Sequence, residues 1–135
     1  MKKLLATFII IGVISMMFNG CSLEENDGNP YPKGGRDTVA EFGIRRFAIL
    51  RGGDIDENII EWTLFDRELQ SDIDGNIDNY IEYSPYVYTI GSKGNTKLNY
   101  ETGALKQGKE LSEFSGEDQN IFNKLQETKN SVVKK

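Results

Sequence analysis

YIEYSPYVYTIGSKGNTKLNYETGALKQ, residues 80–107, is the stretch whose reading decides the fold. Residues 80–91 are rich in tyrosine, isoleucine and valine, side chains that suit a pleated, half-buried surface. Pro85 interrupts them, and because proline cannot donate a ladder hydrogen bond it marks an edge or a bend. Ser92-Lys93-Gly94-Asn95 reads as a turn, TKLNY at 96–100 as a returning strand, Glu101-Thr102-Gly103 as a second turn and ALKQ at 104–107 as a third strand. Alternation places Tyr86, Tyr88 and Ile90 on one face, Val87 and Thr89 on the other, and Leu98 with Tyr100 on one face of the partner strand. Either face is a candidate for burial. The glycines and lysine between Gly91 and Thr96 lack the spacing of a phosphate-binding loop and are explained by the hairpin turn.

Downstream, FSGEDQNIFNKLQE at 114–127 predicts a short amphipathic helix. Ser115 is its N-cap, Asp118 completes an approximate capping box, and Ile121, Phe122 and Leu125 share one side. Upstream, the dense apolar run within 38–50 predicts a strand centred on 44–50, ending at Gly52 and Gly53. Arg45 and Arg46 inside that run then need a rim position or a carboxylate partner. DIDENIIEWTLFDRELQ at 54–70 is open to two readings. Asp54 or Asp56 suits a helix cap and Ile60, Leu64, Phe65 and Leu69 approach helical spacing; Ile59 to Phe65 equally suits a strand. In SDIDGNIDN at 71–79, Asp72, Asp74, Asn76 and Asp78 alternate like calcium-loop ligands, yet Ile77 and Tyr83 stand where such a loop needs Gly and Glu, so the segment reads as a solvated turn. The expected fold is a small single α+β domain over 37–127. It is an antiparallel β-meander with one or two packed helices, ordered approximately β-α-β-β-β-α, followed by a fraying tail at 128–135.

The N-terminal residues MKKLLATFIIIGVISMMFNGC, 1–21, have the layout of an export signal: Lys2 and Lys3, an apolar run from Leu4 to Phe18, and Gly20 directly before the chain's single cysteine. The run is shorter than the roughly 20 residues that span a bilayer. FNGC at 18–21 resembles a bacterial lipobox, although Phe18 and Asn19 stand where Leu and Ala or Ser are commoner. SLEEND at 22–27 is similar to the acidic export signal of Bacteroidetes lipoproteins. The resemblance implies a signal peptide at 1–20, cleavage between Gly20 and Cys21, and lipidation of Cys21. It also implies an outer-membrane destination, facing outward. Diacylation supplies the two chains that stable anchoring takes. The polar, Gly- and Pro-containing residues that follow complete a tether over 21–36.

Cleavage removes Lys2 and Lys3 and no acid, leaving 14 basic against 21 acidic residues, a formal charge of −7. Such a surface is repelled by nucleic acid and excludes it as a partner. With Cys21 acylated, no disulfide can form, so the core must stabilise the domain. The chain has no histidine, which removes the usual general base, zinc ligand and Ser-His or Cys-His pair. Among Asp54, Asp56, Glu57, Glu61, Asp66 and Glu68 no spacing singles out a catalytic pair, so neither an enzyme, a cofactor nor a metal site is expected. Trp62, Tyr83, Tyr86, Tyr88 and Tyr100 are the candidate binding face, because flat amphipathic rings suit a protein partner or a sugar. The expectation is a non-catalytic, lipid-anchored envelope module of immunity or inhibitor type. The alternative is a glycan- or nutrient-capture accessory using those rings.

Overall fold

The computed structural model describes residues 27–53 and 57–128. The expected signal peptide at 1–20, the lipidation candidate Cys21, the capping candidates Asp54 and Asp56 and the tail from 129 lie outside them. Eight strands run β1 (Thr38–Phe42), β2 (Phe47–Gly52), β3 (Glu61–Asp66), β4 (Ser71–Asp74), β5 (Asn79–Tyr83), β6 (Tyr86–Gly91), β7 (Gly94–Asn99) and β8 (Leu105–Gly108). A 3-10 turn at Leu111–Glu113 leads to one helix, α1 (Gly116–Glu127). β1 to β4 form one antiparallel sheet in sequence order, and β5 to β8 form a second. The molecule is thus a single α+β domain in which strands predominate.

Sequence alternation explains the layers. Phe42, Phe47, Ile49, Leu64 and Ile73 from the first sheet meet Val87 and Leu98 from the second, with Ile77 from the β4–β5 connection, in one buried cluster. On the opposite face of the second sheet, Tyr88 packs with Phe114, Phe122 and Leu125. The order is therefore sheet, sheet, helix. β6 is buried on both faces: Val87 and Thr89 point between the sheets, Tyr88 toward the helix. Burying Phe122 and Leu125 completely contributes roughly 1.5–3 kcal/mol each, and that packing is what holds a 12-residue helix that would be marginal alone. Ser115 caps it by accepting from the Asp118 backbone N–H at 3.3 Å. At the other end, the Asn79 side chain donates to the Leu125 carbonyl at 3.1 Å and to the Thr128 hydroxyl at 3.0 Å.

Two expectations are corrected, for 44–50 and for 71–79, and the open reading of 54–70 resolves to its strand alternative. Residues 44–50 are not one strand: Gly43, Ile44 and Arg45 all have positive φ, and they make a turn between β1 and β2. Arg46 then pairs with Asp66, its Nη2 2.9 Å from Oδ2, and Arg45 with Asp27. The open segment 54–70 contains no helix among its described residues. Its core is β3, in register with β2 from Phe47 opposite Asp66 to Gly52 opposite Glu61. Ladder pairing along that length outweighs the loose helical spacing, and Ile60 stays 43% exposed. The 71–79 segment is not a solvated turn throughout, because β4 occupies 71–74 and Asp74 is fully buried. The Asp74 carboxylate accepts from the Ser92 hydroxyl and the Lys93 backbone N–H, both at 3.0 Å, joining the two sheets.

Residues 27–36 carry no helix or strand, yet lie against the first sheet. The Tyr31 hydroxyl donates to Glu68 at 3.2 Å, and Arg67 bridges the segment to the turns by donating to the carbonyls of Pro32 and Arg45 at 3.4 and 2.7 Å. Gly34 fits because a Cβ there would come within 2.7 Å of the Thr38 and Glu41 side chains.

Candidate functional site

A cleft of about 590 Å³ opens between the second sheet and the start of α1. The end of β5 supplies Tyr83, the β5–β6 turn Ser84, β6 supplies Tyr86 and Tyr88, β7 supplies Lys97, and the helix supplies Glu117, Asp118, Asn120, Ile121 and Lys124. Lys97 reaches it because antiparallel register sets it opposite Tyr88. Asp118 reaches it because the Ser115 cap turns the first helical residues toward the sheet.

The floor is a charged triad. Lys97 Nζ lies 2.8 and 3.0 Å from the two Asp118 oxygens. The Tyr88 hydroxyl donates to Asp118 Oδ1 at 2.8 Å. Lys97 also sits over the Tyr86 ring at 4.3 Å, a cation–π contact. Burial pushes the Asp118 carboxyl up, but hydrogen bonds from Lys97, Tyr88 and Ser115 together hold it below the usual carboxylate range. Burial, reinforced by the Asp118 carboxylate, pushes the Tyr88 phenol well above its ordinary value. At the rim, Lys124 Nζ donates to the Tyr83 hydroxyl at 3.2 Å, and Tyr83 is 40% exposed.

The five aromatic candidates do not form one face. Tyr83, Tyr86 and Tyr88 gather at the cleft, with Tyr83 at 77° and Tyr86 at 54° to Tyr88. Trp62 and Tyr100 pack against the inter-sheet core, Trp62 beside Tyr80 and Tyr100 stacked on Phe42. Of the acidic candidates, Asp66 is only 3% exposed and is engaged by Arg46. Burial pushes its carboxyl up, while Arg46 and the backbone N–H groups of Leu69 and Glu68 bring it below the usual range. Glu68 pairs with Arg46 at 3.0 Å; Glu57 and Glu61 are exposed. Among the described residues, no three of the acidic side chains are placed to hold a metal ion.

Sequence reasoning missed Lys97, Asp118 and Lys124 as neighbours of the tyrosines. The only signal available was the hairpin register that pairs Lys97 with Tyr88; nothing local tells that the helix lies over that pair. No protein-family model, curated protein or solved structure matches the chain.

Proposed function

We propose that the chain is a lipid-anchored cell-envelope protein whose domain binds a partner protein without catalysis, as an immunity or inhibitor-like module does. The helix–sheet cleft is the binding surface. The observation that carries the non-catalytic reading is the state of the cleft's two reactive groups. Asp118 is held ionised and Tyr88 protonated, each shifted away from neutrality, whereas a general acid or base at neutral pH needs its pKa brought toward the working pH. Both Asp118 oxygens are already engaged. The rim supports binding: an exposed Tyr83 with Lys124, and Tyr86 against Lys97, combine flat ring area with charge and suit a protein interface. The tilt between the rings disfavours a sugar platform. Anchoring follows from the lipobox-like FNGC at 18–21.

Photo-crosslinking from Asn120, on the cleft wall, in intact cells tests the reading. A defined adduct that disappears in Tyr83→Ala/Lys124→Ala is the expected result. An adduct pattern unchanged by that pair, or no adduct at all, would refute the cleft as the binding surface. Turnover of any envelope substrate that is lost in Asp118→Asn would refute the absence of catalysis.

A further inference from the structure

The turns Gly43–Arg46 and Arg67–Gln70 abut at one end of the first sheet, where the Arg67 backbone N–H donates to the Arg46 carbonyl at 2.8 Å. Their tips present Ile44 and Leu69 at 68% and 67% exposure, the most exposed large apolar side chains among the described residues. Singly, such residues are ordinary on a protein surface. Their position is not ordinary relative to the chain's path, because Arg45 in the first turn is ion-paired with Asp27. The chain therefore enters the domain at this same end. From there it passes Glu68 and Arg67, and it reaches the start of β1 at the far end of the strands.

Resting on the lipid-anchor reading above, we infer that this turn end is the membrane-facing surface, with Ile44 and Leu69 seated in the phospholipid interface. Cys21 lies six residues before Asp27, and six residues reach at most about 22 Å. A domain of this size is on the order of 30 Å across. An inverted pose, with the β2–β3 loop and its half-exposed Ile59 and Ile60 on the bilayer, is thus out of reach while the Asp27 contact holds. The guanidinium groups of Arg45, Arg46 and Arg67 are all engaged by carboxylates here, and Glu68 and Glu101 are exposed at this end. The surface therefore suits zwitterionic headgroups rather than anionic ones.

The test uses the full-length lipidated protein in vesicles of phosphatidylcholine and phosphatidylethanolamine. Acylation blocks the Cys21 sulfur, so a single introduced cysteine takes an environment-sensitive fluorophore, at Ile44→Cys, Leu69→Cys or, at the far end, Asn58→Cys. All three sites are exposed, and cysteine relieves a β-branched residue of the positive φ at position 44. Nitroxide-bearing lipid is expected to quench the labels at 44 and 69 at least threefold more than the label at 58. Equal quenching at all three, or stronger quenching at 58, would overturn the orientation. If the protein carries no lipid and does not sediment with vesicles, the anchor itself fails, and that outcome is read separately from the labels.

Discussion

Lys97→Met is the perturbation that probes the cleft most sharply. The substitution keeps the unbranched stem but removes the ammonium that sits 2.8 and 3.0 Å from the Asp118 oxygens. Breaking a buried ion pair by deleting one partner costs about 3–5 kcal/mol. Here the Lys97 side chain is 23% exposed against 8% for Asp118, and Asp118 retains the Tyr88 and Ser115 hydroxyls. The expected loss at pH 7 is therefore about 2–3 kcal/mol, part of it the cation–π contact with Tyr86. For a domain of about 100 residues this lowers Tm by roughly 10–20 °C. The assay is urea unfolding followed by the fluorescence of Trp62, the only tryptophan, packed beside Tyr80. In the wild type the folded pKa of Asp118 is lowered, so its contribution is present above the unfolded value near 3.8 and is lost as pH falls through the folded value. Without Lys97, burial is the largest remaining influence and favours the protonated acid. The stability gap between Lys97→Met and wild type should therefore narrow as pH falls toward 4. A loss under about 0.5 kcal/mol, or a gap independent of pH, would refute the triad as an energetic unit.

Other outcomes follow from the same geometry. Tyr88→Phe should flatten the decline in stability above pH 10: the folded phenol resists ionisation, so its contribution is full below the unfolded value and is lost as pH rises, and pH-titrated unfolding measures this. Thr89 is fully buried, and its hydroxyl makes no hydrogen bond among the described residues. Thr89→Val should therefore raise stability by about 1 kcal/mol, read as a higher urea midpoint; a lower midpoint would mean that the hydroxyl is satisfied. Gly91→Ala would place a Cβ 2.6 Å from the Asp74 carboxylate and 2.7 Å from the Gly75 carbonyl. It should cost about 1–3 kcal/mol by overpacking, and wild-type stability in that variant would contradict the close inter-sheet approach.

The second sheet was legible in residues 80–107 because turn residues punctuate it and β-formers fill it. The C-terminal helix was legible because Ser115, Phe122 and Leu125 carry a cap and a stripe. Which face of β6 is buried was not legible, since Tyr88 and Val87 are both core residues of a middle layer. The first sheet was obscured at two places. Gly43 begins a turn inside an apolar run, and residues 60–69 mix helical and strand spacing until β2 supplies a partner. Asp74 looked like a hydrated turn residue because its role, accepting from Ser92 and Lys93, depends on a hairpin 18 residues away. The cleft depends on the packing of α1 over β6 and β7, a tertiary contact with no local signature; Tyr83, Tyr86 and Tyr88 were found by composition, whereas Lys97 and Asp118 emerge only in three dimensions.

The proposed envelope location and the membrane-facing turns both depend on the proposed anchor at Cys21. The most direct measurement is the intact mass and N-terminal peptide of the mature protein recovered from the membrane fraction. The expected product is a chain beginning at Cys21, with a diacylglyceryl group on sulfur and its amino terminus acylated, and no membrane recovery of Cys21→Ala. A mature N-terminus elsewhere, or a Cys21 with a free thiol, would contradict it.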